Sequence, residues 1–129
     1  MRMIITNLDF KDEHIYVTGN TTIGDVKGEW CNKEPPILGK TYFFELNISE
    51  VDKSEVAVIN NEQFFPSVNL LGNRVQFKGI CEEIEDVYII RFSNDWMEMI
   101  SIDNDDFSIK RGDKILFLTS YDKIGIYPY

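Results

Sequence analysis

Short segments rich in Val, Ile, Tyr, Phe and Thr follow one another along this chain, separated by Gly, Asn, Asp and Pro. β-Branched and aromatic side chains fit the pleated surface of a sheet, and the intervening residues form turns. Such spacing is typical of sandwiches and barrels. We therefore predict an all-β fold, a single antiparallel β-barrel or sandwich, and expect an oligonucleotide-fold-like barrel first. The predicted strands are 2–8, 14–18, 22–30, 41–48, 55–60, 74–84, 87–93, 96–102, 114–120 and 123–127.

The whole chain, 1–129, is predicted to form one domain. Its length suits a single core, and no repeat or Gly/Ser-rich or Pro-rich linker interrupts it. A helical turn competes with a strand only in 49–61, where Ser49 and Asp52 have capping-box spacing. The segment 31–39, with Pro35, Pro36 and Gly39, is expected to cross one mouth of the barrel.

No secretory signal and no apolar run long enough to span a bilayer is visible, so we predict a cytoplasmic protein without a membrane partner. The two cysteines, Cys31 and Cys81, have neither CxxC spacing nor the density of a disulfide scaffold. They are interpreted as reduced thiols.

The sequence offers little chemistry for an enzyme. His14 is the only histidine, so any triad would depend on it, and a surface imidazole beside carboxylates is its simpler interpretation. No phosphate-binding glycine motif is present, and 103–106 begins like a calcium loop but lacks its glycine and its bidentate glutamate. We therefore expect a non-enzymatic protein without a cofactor or a metal.

Acidic residues are concentrated in one part of the chain. Segment 82–106 contains nine of them against Arg91 alone, a net charge of −8, whereas the other 104 residues carry a net charge of −1. Turns of a β-meander meet at common rims, so these carboxylates are predicted to form one acidic surface with Trp96, Met97 and Met99 as anchors. The predicted partner-binding residues are Glu82, Glu83, Glu85, Asp86, Asp95, Trp96, Glu98, Asp103, Asp105 and Asp106.

A second interpretation of the same residues stays open. Turns are polar in any protein, and Trp96 and Ile100 would then be core residues below a solvated surface. If the acidic surface is functional, its sign excludes nucleic acid, whose phosphates require basic residues. A basic protein, such as a nuclease or another nucleic-acid-binding enzyme, is the predicted partner.

The chain resembles bacterial immunity proteins, which neutralise the toxin domains of polymorphic or contact-dependent inhibition systems. The resemblance lies in a single acidic β-rich domain of this length with the segments 28–30, 36–42 and 124–129. It implies stoichiometric binding to a cognate toxin and no catalytic residues.

A different class of function remains as an alternative. Trp30, Tyr42, Phe64 and Phe65 would then provide stacking surfaces for a small molecule, a sugar or a peptide at the mouth of the barrel.

Overall fold

A computed structural model describes residues 1–60, 63–103 and 109–129, with the backbone alone at Asp103. Two single-turn 3₁₀ helices, Lys53–Glu55 and Tyr121–Lys123, accompany thirteen strands within these residues. The strands are β1 Arg2–Lys11, β2 His14–Thr21, β3 Gly24–Trp30, β4 Thr41–Ile48, β5 Val51–Asp52, β6 Val56–Val58, β7 Ser67–Leu71, β8 Arg74–Ile84, β9 Tyr88–Ser93, β10 Trp96–Ile100, β11 Ile102–Asp103, β12 Lys114–Ser120 and β13 Ile124–Pro128.

Five strands close into a barrel in the order β1, β2, β3, β13, β4 and back to β1. The β3–β13 pair is parallel, and the other four pairs are antiparallel. This closed five-stranded barrel with crossing connections confirms the predicted all-β barrel and agrees with its oligonucleotide-fold-like character. The segment between β3 and β4 is tied to β1 just before β4 begins, where Gly39 donates to the Ile5 carbonyl (2.8 Å).

A second sheet is inserted between β4 and β13. Its centre is β8, which pairs with β12 along one edge and with β7 and then β9 along the other. β6 extends the sheet beyond β12, and β10 extends it beyond β9. The alternating burial along Arg74–Ile84 fits this central position.

Gly24 joins the two sheets. It is the residue of β3 that pairs with Val68 of β7, and its φ of 134° lies in the region that favours glycine. A Cβ atom at this position would overlap the backbone carbonyl oxygen of Val68. Only glycine therefore fits this junction without displacing one of the strands.

One hydrophobic cluster runs through the barrel and the second sheet. Phe77 stacks on Phe117 with ring centroids 4.9 Å apart, and Phe92 lies against both rings. Trp96 contacts Phe92 at 5.2 Å and Phe44 of the barrel strand β4 at 5.5 Å. Aromatic contacts thus join the two sheets into one core.

Most of the predicted strands are present, and 41–48, 74–84 and 114–120 have the predicted bounds. Strand β7 and the short parallel pair β5–β11 were not predicted from the sequence. In 49–61 both competing elements occur, because Asp52 caps a 3₁₀ turn that is followed by β6. No helix in the described part of the chain is long and apolar enough to span a bilayer.

Candidate functional site

Three of the exposed acidic residues predicted to bind a partner lie at the turn between β8 and β9. Glu83, Glu85 and Asp86 are exposed there, together with Ile84. Glu82 lies just before them, but its carboxylate accepts from Arg91 Nε at 3.0 Å, so the only basic residue of the segment neutralises it. Three carboxylates therefore form the acidic tip of this hairpin.

Asp95 does not share this rim, which corrects the prediction of a common acidic surface. The turn that contains Asp95 joins β9 to β10 at the opposite end of those strands, because Trp96 pairs with Ser93 whereas Ile100 pairs with Tyr88 near the acidic tip. Asp95 accepts from Ser93 Oγ at 2.8 Å and lies 3.6 Å from the Met1 amino group. These interactions lower the pKa of its carboxyl.

Trp96 is not a surface anchor and Glu98 is not part of an exposed acidic surface, which is a second correction. Trp96 is 4% exposed and Glu98 is 8% exposed, since alternate residues of β10 face the core. The other interpretation of Trp96, as a core residue, is confirmed. The side chain of Asp103 and all of Asp105 and Asp106 lie outside the described residues.

A groove separates β10 from the barrel strand β4. It encloses about 290 Å³ and is lined by side chains of both strands, by Met1 and by Tyr129. Met97 and Met99, which alternate with the buried residues of β10, form its outer wall and are 55% and 68% exposed. The two strands run side by side, yet no backbone hydrogen bond joins them within the described residues.

Glu98 provides the polar connection across this groove. Its Oε2 accepts from Trp96 Nε1 at 2.7 Å, and its carboxyl also accepts from the backbone N–H of Leu46 in β4. Burial raises the pKa of Glu98 to about 7, and the negative charge of Glu45 adds to this effect. The two donors oppose the rise because they stabilise the ionised form. A buried carboxyl of this kind in a groove is a candidate functional group.

An exposed apolar surface borders the groove. Tyr129 is 72% exposed and stacks on Phe43, which is 51% exposed, with ring centroids 6.2 Å apart. Tyr129 also lines the groove together with Met97 and Met99. We call Phe43, Met97, Met99 and Tyr129 the docking surface; Glu45 and Asp95 lie at its border. The two methionines were predicted to belong to an interface, whereas Phe43 and Tyr129 were not. The alternation of buried and exposed residues along β4 places Phe43 outside the barrel.

Strand register connects the docking surface to the acidic tip. Met99 pairs with Ile89, and Ile89 pairs in turn with Glu83. Residues paired across neighbouring strands share one face of a sheet, so Glu83 lies on the same face as Met99. Glu83 of the acidic tip and the exposed Met99 thus belong to one continuous side of the meander.

The four aromatic residues of the alternative function do not meet at one site. Trp30 is 8% exposed and donates from Nε1 to the Glu34 carbonyl at 2.7 Å, and its ring contacts Tyr42 at 4.9 Å. Tyr42 Oη in turn accepts from the backbone N–H of Ile37 at 3.1 Å, so both rings hold the segment between β3 and β4. Phe64 lies near Lys114 of β12, and Phe65 is 75% exposed. None of the four lines the groove between β10 and β4.

His14 and the two cysteines make ordinary contacts with neighbouring residues. His14 Nδ1 lies 2.5 Å from Glu29 Oε1 of the neighbouring strand β3. Both thiols are free; burial raises the pKa of Cys81, while Cys31 donates weakly to Glu29. No group of three or more His, Cys, Asp or Glu side chains suited to a metal ion occurs within residues 1–60, 63–102 and 109–129.

The chain was compared with protein-family models, curated proteins and solved structures. None of them matches it. The groove, the docking surface and the acidic tip are therefore the features that bear on function.

Proposed function

We propose that this chain is a non-enzymatic protein-binding domain of the immunity-protein kind, which neutralises a basic toxin or nuclease domain by direct binding. The observation that carries the proposal is the docking surface, where the exposed Met97, Met99 and Tyr129 line one groove and the exposed Phe43 stacks on Tyr129. Contiguous exposed apolar groups of this kind mark interaction sites in soluble proteins. Aromatic residues and methionine are also the types enriched in protein interfaces.

The charges around the docking surface support a basic partner. Glu45 borders it, and the acidic tip continues its face through Glu83. Asp95 also borders it, but the Met1 amino group lies 3.6 Å from that carboxylate and offsets its charge. Arg91 pairs with Met97 in the strand register, but its guanidinium group is held by Glu82. Arg2 is exposed beside Phe43 and is the basic group that a partner would meet there. The chain as a whole carries a net charge of −9, which favours encounter with a cationic protein.

The first test changes the docking surface. Replacing Met97 and Met99 by lysine should weaken binding at least about tenfold, because central apolar contacts carry most of the free energy of an interface. The binding partner is the basic protein retained from lysate of the producing cells, identified by mass spectrometry, and affinity is then measured with that purified protein. The substitution Phe10→Lys is the matched control, since Phe10 is 75% exposed on another strand. Equal affinity of the double variant and the wild type would contradict the proposal.

The second test changes the acidic tip. The triple variant Glu83→Lys, Glu85→Lys, Asp86→Lys should reduce the association rate with the same basic partner by about tenfold at low salt and should flatten its salt dependence. Stopped-flow measurement at several salt concentrations checks this result. Glu13→Lys at the exposed β1–β2 turn is the control. An unchanged rate and salt dependence would remove the acidic tip from the binding surface.

A further inference from the structure

The contact between β4 and β10 is unusual for two neighbouring strands. Trp96 contacts Phe44, and Glu98 reaches Leu46, so the strands run in the same direction. Farther along, Val51 donates to the Ser101 carbonyl at 2.8 Å and β5 pairs with β11 in parallel. Parallel backbone pairing between these two parts of the chain therefore exists beyond the groove, at β5 and β11. Along β10, the Glu98 side chain makes the contact with β4 in place of backbone hydrogen bonds. We call this stretch, β10 against residues 44–48 of β4, the seam.

The edge of β4 explains why a carboxyl group is needed in the seam. Phe44 donates its N–H to the Met1 carbonyl at 3.2 Å, which is the last contact of β1 along this edge. N–H groups two residues apart point to the same side of a strand, so the N–H of Leu46 would lack a strand partner there. The Glu98 carboxyl accepts from it. An unpaired buried N–H would be costly, and Glu98 removes that cost.

The groove connects this carboxyl to the surface. Glu98 is one of its lining residues, together with the exposed Met97 and Met99, so water and protons have a route to the carboxyl. Four other ionisable groups among the described residues lie along the groove. They are the carboxyl of Glu45 in β4, the carboxyl of Asp95 just before β10, the amino group of Met1 and the hydroxyl of Tyr129. From β9 the residue paired with Glu98 is Ile90, which brings no charge.

We infer that Glu98 is a proton-operated latch, which keeps β10 closed against the barrel when the carboxyl is protonated and lets the seam open when it is ionised. The physical reason is that a carboxylate in the closed seam lacks most of its hydration and faces the charge of Glu45, whereas in the open seam water solvates it. The contact between Trp96 and Phe44 is broken in the open form, and the barrel itself stays intact.

The direction of the pH effect follows from the titration of Glu98. Its pKa is about 7 in the closed form and returns toward 4.5 when the side chain is solvated. The closed form therefore binds the proton more tightly, so the seam is most stable below pH 4.5 and loses stability as the pH rises toward 7. Above pH 7 the effect levels off. These pKa values imply that the opening constant rises about 50-fold between pH 5 and pH 7.5.

Nuclear magnetic resonance on the intact chain tests the latch. Hydrogen exchange of the Leu46 amide, corrected for its intrinsic pH dependence, should show the increase of about 50-fold in the opening constant between pH 5 and pH 7.5. The indole N–H resonance of Trp96 should titrate with a midpoint near pH 7. The indole N–H of Trp30, bonded to the Glu34 carbonyl, serves as an internal control. Amides of β2, which is paired along both edges, report on opening of the barrel.

Glu98→Gln is the decisive variant because it keeps the shape and an acceptor oxygen but cannot ionise. In this variant both the Trp96 titration and the pH dependence of Leu46 exchange should disappear. The inference would be overturned if the variant kept either signal, or if Leu46 opening in the wild type did not change with pH. An equal pH-dependent increase in β2 exchange would also overturn it, since that would mean unfolding of the whole chain.

Discussion

Replacing Trp96 by alanine is expected to lower the free energy of unfolding by about 5 kcal/mol. The indole ring contacts Phe44 and Phe92 and so joins the barrel to the second sheet. Removing a buried ring of this size costs about 3–5 kcal/mol, and the loss of the Nε1 donor to Glu98 costs about 1–3 kcal/mol more. Urea-induced unfolding measures the sum.

Two further substitutions make this result specific. Trp96→Phe retains most of the ring and removes only the donor, so a loss of about 2 kcal/mol is expected, and this variant tests the contact even if the alanine variant does not fold. Met97→Ala, at the next position of the same strand but exposed, should change the free energy of unfolding by no more than about 0.5 kcal/mol. Equal effects at 96 and 97 would contradict the burial pattern of β10.

Gly24→Ala is expected to destabilise the protein by about 4 kcal/mol. A methyl group here overlaps the Val68 carbonyl oxygen and also requires an L-residue to adopt a φ of 134°. Backbone strain and overpacking each cost about 1–3 kcal/mol. Urea-induced unfolding is again the measurement, and weaker protection of the Val68 amide, which donates to the Ile23 carbonyl, should accompany the loss.

Gly72→Ala is the matched control for this glycine. Gly72 also has a positive φ, 62°, but a Cβ atom there has open space around it. The expected loss is only about 1 kcal/mol, the usual cost of the left-handed conformation. If the two alanine variants were equally stable, the close approach of β3 and β7 at Val68 would play no part in stability.

Much of the fold could be predicted from the sequence because strand patterns are local. The alternation in 74–84 follows from one face packed on the core, and the barrel agrees with the expectation of an oligonucleotide-fold-like domain. β7 was missed because Ser67 and Asn69 weaken its pattern. The insertion of a second sheet between β4 and β13 depends on pairing over long sequence separations, which no local pattern records.

The candidate site was predicted less well, since charge along a sequence does not give position in space. Nearness in sequence placed Asp95 and Glu98 with the acidic tip, whereas the structure places one at the opposite end and the other in the core. A usable signal was present. Glu98 has the same alternation phase as Trp96 and Ile100, so a strand with those two residues inward places Glu98 inward as well. Tyr129 reaches Met97 and Met99 only through the tertiary structure.

The insertion of the second sheet also determines when the barrel can be completed during synthesis. β1 to β4 emerge first, but β3 and β4 are joined only by β13, which is made after the entire inserted sheet. Until residues 124–128 leave the ribosome, both strands present open edges, which are the sites where chains pair wrongly with one another. Closure of the barrel is therefore a late, long-range event.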